Sequence, residues 1–216
     1  SNLVAGDTNN KEDIFVYDRQ YGMTTRVSVS SDGAQANNDS MGPTISADGR
    51  YVAFYSLAND LVIGDMNREG DIFLHDRLLG VTTRVSIRPS GIQGNEDSYD
   101  PTLTADARFV IFTSNASNLV DGDMNGLSDV FIIDLANGSL ALLSVTPSGL
   151  PGNGASFAKD LSADGRFVVF SSTASNLAPC DTTDAYDVFV RDRQTGNTTC
   201  VSVGPDGMTQ GNTNSE

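Results

Sequence analysis

The stretch Gly64-Asp65-Met66-Asn67, followed by Asp71-Ile72-Phe73, decides the fold because the chain writes it four times. It stands first as Gly6-Asp7-Thr8-Asn9 with Asp13-Ile14-Phe15, and again as Gly122-Asp123-Met124-Asn125 with Asp129-Val130-Phe131. An altered copy reads Cys180-Asp181-Thr182-Thr183 with Asp187-Val188-Phe189. The leading residues Asp7, Asp65, Asp123 and Asp181 are spaced a constant 58 residues apart. A gap-free period held three times marks a repeat architecture in which each unit buries its core against the next.

Outward from the loop, each period carries short β-branched and aromatic runs between Gly, Asn, Asp and Ser, a strand pattern with no helical stretch. A first strand, A, is expected around Pro43-Thr44-Ile45-Ser46, with counterparts at Pro101-Thr102-Leu103-Thr104 and Lys159-Asp160-Leu161-Ser162. Ala47-Asp48-Gly49 and Ala163-Asp164-Gly165 then read as tight two-residue hairpin turns in which Gly supplies positive φ. The second copy has Ala107 there, so its turn is expected to be the least comfortable. Strand B follows as Arg50-Tyr51-Val52-Ala53-Phe54 and its equivalents; strand C begins at Asp13, and strand D is the Thr-rich run from Thr24 to Val29. Four antiparallel strands per period describe the blade of a β-propeller, an all-β fold.

The segments Ser46-Ala47-Asp48-Gly49-Arg50-Tyr51-Val52-Ala53-Phe54 and Asp13-Ile14-Phe15-Val16-Tyr17-Asp18 resemble the TolB-like, WD-like β-propeller repeat. Ala47, Ala105 and Ala163 stand where many of its members have Pro. That resemblance covers essentially the whole chain and implies binding surfaces, a periplasmic or secreted location, and propeller domains attached to larger enzymes. It does not imply one activity.

The periods fall at 1–58, 59–116, 117–174 and a partial 175–216 of a single propeller domain or propeller fragment. The strand order predicts a C/D half-blade followed by three full blades, an incomplete ring whose open blade edge invites self-association or a protein partner.

The repeated loop is also the chief candidate site. Asp7, Asn9 and Asp13; Asp65, Asn67 and Asp71; and Asp123, Asn125 and Asp129 place oxygen donors as a Ca²⁺ loop does, and Asp181, Asp184 and Asp187 form a looser fourth set. The bidentate Glu of an EF-hand is missing, and the same residues also serve as turn formers, so Ca²⁺ and plain turn chemistry both stay open. Like charges gathered in one loop are costly unless a cation offsets them. If metal binds, weak affinity and a stabilising role are expected.

Other chemistry is scarce. The single histidine, His75, occupies a variable strand C position and is expected to be structural, and no Gly-x-Ser-x-Gly elbow accompanies it. One His and two Cys do not make a recognisable zinc set. Cys180 and Cys200 both break the repeat in its last copy, which points to a disulfide and an oxidising compartment. Thirteen Lys and Arg against 28 Asp and Glu leave a net charge of −15, which argues against nucleic acid. No apolar run is long enough to span a membrane. The reading is therefore a non-catalytic, secreted, cell-surface or periplasmic propeller acting as a binding or assembly module. Two alternatives stand beside it: the propeller part of a larger hydrolase, and a carbohydrate-binding face built on Tyr51, Tyr55, Tyr99 and the loops around Asn37, Asn95 and Asn153.

Overall fold

The computed structural model describes residues 3–179 and 185–204. Their regular structure is all strand, fourteen in number. The first sheet pairs β1 (Phe15–Asp18) with β2 (Met23–Arg26). Three four-stranded sheets follow in simple antiparallel order. They are β3 (Ser40–Ile45), β4 (Tyr51–Ser56), β5 (Asp71–Asp76) and β6 (Val81–Arg84); then β7 (Ser98–Leu103), β8 (Phe109–Ser114), β9 (Asp129–Asp134) and β10 (Ser139–Leu142); then β11 (Ser156–Leu161), β12 (Phe167–Ser172), β13 (Asp187–Asp192) and β14 (Asn197–Cys200). This is the expected C/D half-blade followed by three full blades of a β-propeller.

Four local expectations need correction. Strand C begins at Phe15 rather than Asp13 in the first copy, where β1 has no B strand to pair with among the described residues, although it begins at the aspartate in the other three. Strand A begins at Ser40 rather than Pro43, because the Ser40 hydroxyl pairs with the Ser56 hydroxyl across the ladder and the Pro43 region is accommodated by a register shift between Met41 and Thr44. Proline donates no ladder hydrogen bond, so a bulge is where a strand can carry it. Strand D stops at Arg26, and the chain doubles back so that Val29 bridges Gln35. The A–B connection is not a two-residue hairpin: the Ser46 amide donates to the Tyr51 carbonyl, leaving four residues between them. Gly49 does take a positive φ of 71°, and Ala107 is held at 54° in the equivalent place, the strained turn the sequence predicts.

Strand alternation places the cores between blades rather than within them. Val52, Phe54 and Phe73 project from the first full blade onto Ile14 and Val27 of the half-blade. Ala53, Ile72 and Leu74 project from its other face onto Val110, Phe112 and Phe131 of the next. Ile111, Val130 and Ile132 then meet Val168, Phe170 and Phe189. Directly paired B and C phenylalanines stack in every full blade, with ring centroids 6.0, 5.7 and 5.5 Å apart. An arginine opening strand B clamps the aspartate closing strand C in each: Arg50 to Asp76, Arg108 to Asp134 and Arg166 to Asp192.

Candidate functional site

Each acidic loop connects strand B of one period to strand C, and its residues turn inward against the following D–A connection. The Asn9 side-chain oxygen accepts from the Lys11 amide, Asn67 from Glu69 and Asn125 from Leu127, the two-residue Asx turn. The next position is left-handed each time, at Asn10, Arg68 and Gly126. The asparagine amide then donates both to the strand C aspartate and to the carbonyl of Ala36, Gly94 or Gly152. Turn chemistry thus accounts for the asparagines. The strand C aspartates are held on their other oxygen by a serine of the D strand's continuation: Ser28 on Asp13, Ser86 on Asp71, Ser144 on Asp129 and Ser202 on Asp187.

In the first two copies the protein supplies its own cation. Arg84 Nη1 lies 3.0 Å from Asp65 Oδ1 and 2.8 Å from Asp71 Oδ2, with its side chain only 5% exposed. Arg26 spans Asp7 and Asp13 in the same way at 3.5 and 3.3 Å, and its Nη2 also donates to the Gly6 carbonyl. A glutamine completes the brace: the Gln93 side-chain oxygen accepts from the Met66 and Asn67 amides, while Gln35 accepts from Thr8 and Arg26. Burial still pushes the Asp65 carboxyl above the usual range despite Arg84.

The third copy keeps the acids and loses both braces. Leu142 stands at the place of Arg26 and Arg84, and Pro151 at that of Gln35 and Gln93. Asp123 is 4% exposed, and neither of its carboxylate oxygens makes a hydrogen bond of normal geometry, the Asn125 main-chain N–H being the donor nearest to it. Burial raises its pKa, and burial drives that of Asp129 up to about 6, with the charge of Asp123 adding to the effect. Among the described residues no group of three or more His, Cys, Asp or Glu gathers as a metal cluster.

In the fourth copy Cys180, Asp181 and Asp184 lie outside the described residues; Asp187 is buried and held by Ser202. Cys200 is buried at the end of β14, at the position of the loop arginine. His75 is buried with Nδ1 2.8 Å from Thr82 Oγ1, and burial lowers its pKa. Thr82 in turn donates to the Val29 carbonyl, so the histidine belongs to a link between the half-blade and the first full blade. The sugar-face candidates are engaged in packing. Tyr55 lies against Gly70, leaving no room for a Cβ there, while Tyr99 meets Asn115 and Ser128. Asn37 bonds Asn59, Asn95 bonds Ser117 and Asn153 bonds Ser175, each stitching two loops together.

A second feature is geometric. In every full blade strand C pairs with B over six residues, Tyr51 with Asp76 through Ser56 with Asp71 in the first. β1 pairs only with β2 among the described residues. Phe73 and Phe131 are buried both by a B strand and by the preceding sheet; Phe15, their equivalent, has neither against it among the described residues and is half-buried, and Tyr17 is 60% exposed. A groove lined by Phe15, Tyr17, Ile45 and Val52 runs beside β1 where a B strand lies in the other blades.

No family model and no curated protein matches the chain. Solved structures do. The tricorn protease superposes with a TM-score of 0.54 at 13% identity over 86% of this chain and 16% of its own. A prolyl endopeptidase structure gives 0.53 at 15% identity over 90% and 27%. A putative TolB from Agrobacterium tumefaciens gives 0.50 at 16% identity over 83% and 52%. The chain thus spans between 16% and 52% of the length of these structures. At such identities the likeness is one of fold, and that fold is a TolB-like β-propeller with an incomplete ring.

Proposed function

We propose that the chain is a non-catalytic protein-binding or assembly module that docks its partner on the inner edge of β1. The observation that carries this reading is the contrast between Phe15, half-buried, and its three fully buried equivalents. The occupant we infer, by analogy with the full blades, is an A–B hairpin of the same repeat type, antiparallel to β1, with a phenylalanine opposite Phe15. Main-chain bonds to the edge would give affinity and the aromatic stack register. A location outside the cytosol accords with the expected Cys180–Cys200 bridge, which free-thiol titration under denaturing conditions checks.

The test is binding of a synthetic peptide spanning residues 98–114, the A–B hairpin of the second full blade, followed by titration calorimetry. Saturable binding that weakens at least tenfold in Phe15→Asp, and again when the peptide carries Phe112→Ala, supports the proposal. Binding indifferent to both changes, or none, overturns it.

A second reading, the propeller portion of a larger peptidase, is favoured by the likeness to the tricorn protease and the prolyl endopeptidase, of which the chain spans 16% and 27%. Sequencing outward from the chain in its gene decides it, since an adjoining hydrolase domain is required.

A further inference from the structure

The third acidic loop differs from the first two in one respect that matters chemically: it retains the buried acids without the buried base. Asp123 and Asp129 keep the places of Asp65 and Asp71, while the guanidinium that lies within 3.0 Å of both in the second copy is replaced by the Leu142 side chain. Leu142 packs against the core of that blade interface and offers no charge. The loss of glutamine at Pro151 removes a second donor from the same loop, since Gln93 donates to the Gly64 carbonyl, the equivalent of Gly122.

An ionised carboxylate buried without a partner is among the costliest arrangements a fold can hold. Asp123 comes close to that arrangement: no side chain bonds either oxygen, and the Asn125 main-chain N–H turned toward it makes no bond of normal geometry. Asp129 is different: Ser144 donates to one oxygen and Asn125 to the other, so it is oriented and not orphaned. The donors that face the lost guanidinium are all oxygens: the two carboxylates and, by equivalence with Gly6, the Gly122 carbonyl. Oxygen donors with a net charge of −2 suit a hard divalent cation and give no purchase to metals that prefer nitrogen or sulfur.

We propose that the third loop is a calcium site, with Asp123 and Asp129 as its carboxylate ligands, in which a bound ion takes the place that Arg26 and Arg84 fill in the first two loops. The site is structural: it joins the B–C loop of its blade to the start of strand C. The first two loops bind no calcium because the arginine already stands there.

Calcium binding to the chain is measured by calorimetric titration with CaCl₂, and unfolding is followed by heating in calcium and in excess chelator. The wild-type chain should bind calcium, and its melting temperature should rise by about 5–10 °C at free calcium about 100-fold above Kd. Leu142→Arg should bind one calcium fewer and lose the part of the thermal response that belongs to this loop. Asp123→Asn, which keeps the size of the side chain, should weaken that same site at least tenfold, while Asp65→Asn should leave it unchanged. Absence of calcium binding in the wild-type chain overturns the proposal, as does a Leu142→Arg or Asp123→Asn chain that binds calcium as the wild type does. If Leu142→Arg fails to fold, Asp123→Asn decides.

Discussion

Arg84 and Leu142 occupy one structural position and set opposite electrostatic problems. Removing Arg84 strands the buried Asp65 side chain and leaves Asp71 held only by Ser86 and Asn67, so Arg84→Leu should cost about 3–5 kcal/mol, read from urea unfolding. The third loop already lives with that condition, and pH exposes it. Burial drives the Asp129 carboxyl up to about 6, above the value near 3.9 that an unfolded chain gives it. A carboxyl raised on folding binds its proton more tightly in the native state, so its unfavourable contribution is full above pH 6 and disappears as the pH falls toward 4. The size is on the order of 2–3 kcal/mol. The strand-closing aspartates run the other way: Arg50 holds Asp76 at about 2, and Arg108 and Arg166 hold Asp134 and Asp192 below the usual range. Their contribution is present above pH 4 and is lost as the pH falls further. Asp123 and Asp65, also raised, act in the same direction as Asp129, while buried His75, whose pKa is lowered, opposes them as the pH falls from 7 to 5. In chelator, the change in urea midpoint from pH 7 to pH 5 should therefore be less positive in Asp129→Asn than in the wild-type chain, while the fall below pH 4 is the same in both.

At the scale of elements, the hairpin turns and the blade interfaces are coupled unequally. Gly49 and Gly165 both have positive φ, but a Cβ on Gly49 would meet only Arg77 at 3.6 Å, whereas one on Gly165 would fall 2.2 Å from the Phe109 ring of the preceding blade. Gly49→Ala should thus cost about 1 kcal/mol of backbone strain and Gly165→Ala clearly more, about 2–4 kcal/mol, compared by thermal unfolding. Strands B and C were legible in the sequence because alternation writes two buried faces into Val52-Ala53-Phe54 and Ile72-Phe73-Leu74, and burial on both sides is what a blade requires. The start of strand A was not, since Ser40-Met41-Gly42-Pro43 has the composition of a turn and becomes strand only through its ladder to Tyr55 and Ser56. The acidic loops were visible as a repeat, yet the cation that answers two of them was hidden. Arg84 reaches Asp71 and Asp65 across 13 and 19 residues, from a strand that reads as ordinary Thr-rich surface. The available signal was the repeat's own variation, Arg26, Arg84, Leu142 and Cys200 at one position, whose meaning appears only when the strand is laid beside the loop.

For the whole molecule, stability is a sum over interfaces, because every core cluster joins two neighbouring blades. A net charge of −15 opposes the compact state throughout, so added salt should raise the melting temperature by screening that repulsion. Local stability then follows the number of interfaces each sheet shares. The first two full blades are each packed on both faces, whereas the β1–β2 sheet contributes Ile14, Val16 and Val27 to a single cluster, the smallest of the three. It also has two strands where its neighbours have four, and its inner edge exposes main-chain donors that no ladder in the described residues protects. Such a unit opens before the rest of the molecule does. Native-state amide exchange should accordingly find β1 and β2 exchanging fastest among the strands and β8 and β9, buried along their whole length, slowest. The same measurement in the presence of the 98–114 hairpin peptide distinguishes docking on β1 from binding elsewhere. Edge pairing requires that protection rise first at Phe15–Asp18 and pass through Ile14 and Val27 to the interface with β4, while β11 to β14 keep their rates. Uniform slowing across all blades would instead mean that the peptide stabilises the array without seating on that edge.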